Sequence, residues 1–376
     1  MKATSTFSLK DQLFNPEKVA FLAGLVTNAY PSFASDAFQK DVVTAFPSLE
    51  LKERITHMAE CLHKYLPASY MSSIDILLRS LPPELDPAKT DDDFGDFIFS
   101  PLALFVATYG CTAEHLDLSL KTLKEMTKRF SVEYAIRFFI NAFPEETLVY
   151  LSDWSHDENY HVRRLTSEGT RPKLPWAQKL NIDFTSPLPI LETLHSDPTR
   201  YVTRSVANHL NDISKLDPDL VIRTLKRWQQ GKQQEEKEMA FIAKHSLRTL
   251  VKKGDANALG LLGFGGKPDI SIEAFDIHTP VVKIGDALEF SFALHANKEQ
   301  NLVVDYLMTF ATSGKKAGQK VFKIKELELT KGQVVKIKKK HPMRLMTTRR
   351  LYTGEHSIML QVNGQDYGSL TFELTE

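Results

Sequence analysis

The chain has 376 residues, and its 47 Lys and Arg are balanced by 47 Asp and Glu. Hydrophobic residues make up 42% and charged residues 25%, an ordinary globular composition that excludes a disordered chain. Two cysteines, Cys61 and Cys111, are too few for a disulfide framework or a zinc ribbon and fit a reducing compartment.

At roughly 150 residues per domain, the length implies about two or three domains. The opening MKATSTFSLKDQLF lacks the apolar core of a secretory signal, and no stretch approaches the ~20 apolar residues that span a bilayer. A cytoplasmic protein without membrane contact is expected. The first hundred residues are acidic, with 9 basic against 14 acidic side chains.

Residues 1–253 read as helices. Leu116, Leu120 and Leu123 fall at i, i+4 and i+7 within 116–127, and Val132, Ile136 and Phe139 repeat the stripe within 131–142. Val202, Val206, Leu210 and Ile213 do so again within 201–214. Each pattern buries one helix face.

This region also repeats. DENYHVRRLTSEG (157–169) has counterparts in DPTRYVTRSVANH (197–209) and KEMAFIAKHSLRT (237–249), 40 residues apart. A helical period of 40 predicts a HEAT-like solenoid, whose stacked helix pairs offer a concave binding face. The register aligns Arg164 with Arg204 and Lys244. One turn later it aligns Glu168 with Asn208 and Arg248.

The stretch 254–268, rich in glycine, reads as a linker. Beyond it the apolar period becomes two, as in Leu288, Phe290, Phe292 and Leu294, or Ile358, Leu360 and Val362. Seven or eight short strands over 269–376 predict an immunoglobulin-like β-sandwich. Here residues 315–350 carry 13 Lys or Arg against only Glu326 and Glu328. Lys336, Lys338, Lys339 and Lys340, with Arg344, Arg349 and Arg350, form either a polyanion-binding surface or a protected strand edge.

No phosphate loop, GxGxxG turn, HExxH, GxSxG or cysteine–histidine cluster occurs, so neither a metal nor an organic cofactor is expected. Two carboxylates stand out. Glu133 precedes Arg137 by four residues on the expected helix 131–142, and Glu168 follows Arg164 by four; simple i, i+4 ion pairs are one reading of both. After Glu168, TRPKLPW stiffens a loop with two prolines and presents Trp176, either to a base or sugar or to the core.

VRRLTSEGTRPKLPW (162–176), with SVEYAIRFF (131–139) before it, resembles the AlkC branch of the AlkC/AlkD alkylation-repair DNA glycosylases. LELKERITHMAECLHKYLP (49–67) and the immunoglobulin-like domain extend the resemblance over essentially the whole chain. It implies a HEAT-like solenoid that cradles duplex DNA and hydrolytically removes 3-methyladenine, 3-methylcytosine and 1-methyladenine in base excision repair, without base flipping. Such a base already carries positive charge and needs no strong general acid. The oxocarbenium-like sugar and its attacking water need a fixed carboxylate.

By that resemblance Glu133 and Glu168 are the catalytic carboxylates, and Trp176 packs on the lesion. Arg164 and Arg171 hold phosphates or brace the carboxylates, while Arg163, Arg204, Lys244 and Arg248 contact DNA. Asn208 stands where the AlkD branch has a cleft aromatic, leaving that support to the second carboxylate. A monomer acting on alkylated double-stranded DNA is expected. The alternative is a non-catalytic HEAT scaffold that binds protein or RNA.

Overall fold

The computed structural model describes residues 8–89, 94–312, 314, 318–344 and 350–376. Lys315, Lys316 and Arg349 of the basic run lie outside the described residues. The chain divides into two compact units: Met1–Ile213 with Gly231–Ile242, and Ser214–Gln230 with Ala243–Glu376.

The helices are α1 (Leu9–Leu13), α2 (Pro16–Ala29), α3 (Ser35–Ala45), α4 (Leu51–Tyr65), α5 (Tyr70–Arg79), α6 (Ser100–Tyr109), α7 (Leu116–Thr127) and α8 (Ile136–Ala142). There follow α9 (Pro144–Trp154), α10 (Tyr160–Glu168), α11 (Leu188–Leu194), α12 (Arg200–Ile213), α13 (Pro218–Gly231), α14 (Glu236–Ser246), α15 (Arg248–Lys252) and α16 (Ala256–Leu261). The helix α16 falls inside the glycine-rich stretch 254–268. Among the described residues no helix is long and apolar enough to cross a membrane.

The 40-residue period has a physical basis in the first unit. Asp157 and Asp197 each accept a hydrogen bond, at 2.8 Å, from the backbone N–H two residues on, at Asn159 and Thr199. These turns launch α10 and α12. Each helix also sends a cation to the acid of the next repeat. Lys124 of α7 meets Asp157 at 2.6 Å, Arg163 of α10 meets Asp197 at 2.5 Å, and Arg200 of α12 meets Glu238 of α14 at 2.5 Å. Val202, Val206, Leu210 and Ile213 of α12 are fully buried, as their spacing predicts.

Among the described residues of the second unit, eight strands form two sheets: β1 (Ile270–Ile277), β2 (Val281–Lys283), β3 (Ala287–Ala296), β4 (Gln300–Phe310), β5 (Gly318–Leu329), β6 (Val334–Pro342), β7 (Gly354–Val362) and β8 (Gln365–Thr375). One sheet has the order β1-β3-β6 and the other β2-β8-β7-β4-β5. Their facing side chains, among them Leu288, Phe290, Val304, Tyr306, Leu360 and Phe372, make the core. The basic strand β6 lies at the edge of the smaller sheet.

Candidate active site

Glu133 is not on a helix. It sits in the turn before α8, whose helical residues begin only at Ile136. The expected i, i+4 pairing with Arg137 is therefore not formed. The Glu133 Oε2 atom instead accepts from the Ser131 hydroxyl and, at 2.8 Å, from Nη1 of Arg164 on α10.

Arg164 is nearly buried, with Nη2 3.8 Å from Glu168 Oε2 and its guanidinium carbon 4.3 Å from the Tyr201 ring centre. Glu168 ends α10. Gly169 follows it because a Cβ there would lie 2.6 Å from Ile136 Cγ2, so only glycine lets this helix end press against α8. Glu168 Oε1 accepts from Arg171 Nη1 at 2.6 Å, and Oε2 accepts from the Ser205 hydroxyl at 2.7 Å. Arg171 in turn binds Asp212 through Nε, at 2.9 Å.

The result is an alternating chain, Glu133–Arg164–Glu168–Arg171–Asp212, in which three carboxylates face two guanidiniums. Burial alone would lower the pKa of Arg164, but the charges of Glu133 and Glu168 outweigh it and raise it above the ordinary arginine value. Burial raises the Glu168 carboxyl, but Arg164 and Arg171 outweigh burial and hold it below the usual carboxylate range. Next to the chain, buried His209 places Nδ1 3.0 Å from the Ser167 carbonyl, and burial drops its pKa to about 4. It is neutral near pH 7.

Arg137 is fully buried and supports the loop after α10. Its guanidinium donates to the carbonyls of Gln178, Gly169 and Arg171 at 2.8, 3.0 and 2.8 Å. Burial first, and then the charge of Arg171, lower its pKa to about 10, so it stays charged. One turn on, Asn141 donates to Lys179 O at 2.9 Å. Between these anchors the loop carries Trp176, which is 64% exposed and has a left-handed φ of 65°. The exposed alternative for this tryptophan is the one observed. Trp176 and Glu133 line the same pocket.

The other expected residues divide by environment. Arg163 is committed to Asp197 and to the carbonyls of Asp157 and Glu158, at 2.8 and 2.9 Å, an intramolecular role. Arg204 and Asn208 lie half-exposed on α12. In the second unit Lys244 pairs with Glu326 at 2.8 Å, and Arg248 donates to the His245 carbonyl. Lys336, Lys338 and Lys340 point from the exposed face of β6, whereas half-buried Lys339 shares the opposite face with Ile337 and His341. Lys340 also meets Glu289 of β3 at 2.6 Å. Among the described residues no three His, Cys, Asp or Glu gather as metal ligands.

Sequence reasoning did not single out Ser131, Tyr201, Ser205 or Asp212, and it read Arg137 only as an ion-pair partner of Glu133. The partners of the ion chain lie 31 to 41 residues from one another, except within α10 and its loop, so no local spacing reveals them. Arg137 did leave a signal, a charged residue beside Ile136 in an apolar helix.

Residues 104–250 match the family model "DNA alkylation repair enzyme", and residues 271–376 match "Uncharacterised protein YhaZ, C-terminal Ig-like domain". The chain is 33% identical to YhaZ of Bacillus subtilis (strain 168), covering 96% of this chain and 98% of that protein. A solved structure, Pseudomonas fluorescens alkylpurine DNA glycosylase AlkC bound to DNA containing an abasic site analog, is similar with 34% identity and a TM-score of 0.89. The similarity covers 98% of this chain and 100% of that one. The chain belongs to the AlkC-type DNA alkylation repair family. An AlkC-like glycosylase fold thus combines a helical repeat region with an Ig-like domain. The ion chain and Trp176 belong to the first of these.

Proposed function

We propose that this AlkC-type protein hydrolyses the N-glycosidic bond of N-alkylated bases in duplex DNA, 3-methyladenine, 3-methylcytosine and 1-methyladenine among them, without flipping the base. The observation that carries the reading is the Arg164 guanidinium held between Glu133 and Glu168, with Glu133 and exposed Trp176 on one pocket. That the Pseudomonas fluorescens relative was solved on DNA supports duplex DNA as the partner.

The chemistry balances on this chain's own residues. As the C1′–N bond breaks, its electron pair neutralises the cationic base, and positive charge develops on the sugar. Water adds to C1′, its proton passes to a carboxylate, and the abasic sugar keeps the hydroxyl. A carboxylate ~4 Å from the sugar cation, at an effective dielectric near 20, contributes about 4 kcal/mol, on the order of 10³ in rate. Glu133, at the pocket, is assigned this contact. Glu168 is more deeply buried, and with Arg171 and Asp212 it fixes Arg164 and the charge of the site. Trp176 stacks on the exposed lesion.

The test is base release from methylated duplex DNA, measured by mass spectrometry. Wild type should release free methylated base, and Glu133→Gln and Glu168→Gln should lose release while retaining DNA binding. Pure wild-type protein that binds DNA and releases nothing returns the chain to a non-catalytic scaffold.

A further inference from the structure

The pocket beside Glu133 has a floor that the hydrolysis itself does not use. Phe94 and Phe97 stack with ring centres 5.2 Å apart, and Phe130 meets them edge-on at 5.3 and 5.4 Å. The backbone builds this cluster. Ser131 N donates to Phe94 O at 3.1 Å, and Gly95 pairs with Phe130 as an isolated β-bridge. Gly95 has φ +84°, and a Cβ there would come 2.2 Å from Arg129 O, so only glycine permits this crossing. Phe94 and Phe97 are half-buried and Phe130 is buried, which leaves aromatic surface open to the pocket. Glu133 supplies an acceptor on one wall and Trp176 a second ring. Lys52, also on the wall, is tied to the Trp176 carbonyl.

The volume of about 160 Å³ decides what fits. An apolar cavity of about 150 Å³ accepts benzene. A pyrimidine ring therefore fills the pocket, and a purine places its second ring at the mouth. A flat heterocycle with an exocyclic amine and a methyl group suits this lining: aromatic surface from Phe97 and Trp176, an N–H donor for Glu133, and apolar contact for the methyl. We propose that this pocket is a subsite for the excised base, holding the neutral N-methylated heterocycle after the glycosidic bond has broken. The inference rests on the glycosylase reading and adds a destination for the leaving group.

Free 3-methylcytosine and 3-methyladenine, titrated into the full-length protein without DNA, test it by calorimetry. Saturable binding is expected, weakened roughly tenfold by Trp176→Ala, an exposed position whose loss leaves the fold intact. Phe97→Ala should weaken it similarly. The same bases should inhibit base release in the concentration range of their binding. Absence of saturable binding to wild type, or affinity unchanged in both variants, overturns the subsite. A protein that cleaves methylated DNA yet binds no free base loses only this inference. One that binds free base yet never cleaves loses the glycosylase reading, and with it the assignment of the pocket to an excised base.

Discussion

Replacing Arg137 by Met removes three hydrogen bonds to the carbonyls of Gly169, Arg171 and Gln178 while preserving most of the apolar stem. Each carbonyl orphaned in a buried site costs about 1–3 kcal/mol. The loop can relax toward water, so the sum is set nearer 3–5 kcal/mol, the usual cost of breaking a buried charged contact. That is a large share of the ~5–15 kcal/mol holding a native protein, yet leaves it folded. The melting temperature should fall on the order of 10 °C. The functional consequence is specific, because the released loop carries Trp176. Trp154 and Trp228 are only 2% and 3% exposed, so acrylamide quenching reports mainly on Trp176. Quenching should change in folded Arg137→Met, with base release down more than tenfold and duplex affinity altered much less. Arg137→Lys, which retains a donor, should recover part of the rate. A folded Arg137→Met protein with native Trp176 quenching and native base release would refute the positioning role.

Neutralising Lys336, Lys338 and Lys340 to Gln should flatten the dependence of log affinity on log salt by about 2–3, at ~0.9 per phosphate contact; an unchanged slope in a filter-binding titration assigns them to edge protection instead. His209 predicts a pH effect of fixed sign. Its folded pKa of about 4 lies below the ordinary histidine value of 6.5, so between these values the unfolded chain takes up a proton that the folded chain does not. Stability should thus rise from pH 4 to 6.5 by about 3 kcal/mol from this group and be fully present above that window. His209→Leu should flatten that rise in urea titrations, and an unaltered pH slope contradicts it. The Glu168 carboxyl, held below its ordinary value of 4.5, should keep its contribution to that point and lose it only in stronger acid. Wild-type stability that falls between pH 6 and 5 in urea titrations, with no such fall in folded Glu168→Gln, would contradict this ionisation.

The helical stripe of α12, the 40-residue period and the alternating strands were legible because burial of one face imposes its period on the sequence. Glu133 was misplaced onto a helix because the apolar stripe Val132–Ile136–Phe139 continues through a turn that also buries Val132. Spacing therefore suggested a Glu133–Arg137 pair, whereas the fold gives Glu133 to Arg164 and Arg137 to a loop. Arg163 and Arg164 are adjacent in sequence and opposite in use, one bridging repeats and the other joining two carboxylates. The pairing of Arg171 with Asp212 spans 41 residues and leaves no local trace. The basic run was legible as charge, but only strand parity separates exposed Lys338 from half-buried Lys339.

The most direct measurement of the proposed chemistry is a mass-spectrometric profile of bases released from methylated duplex DNA by wild type, Glu133→Gln and Glu168→Gln under single-turnover conditions. Release of 3-methyladenine and 3-methylcytosine by wild type is expected, falling on the order of 10³-fold in Glu133→Gln with duplex binding retained. Release at the wild-type rate by both variants would contradict a carboxylate mechanism built on this ion chain.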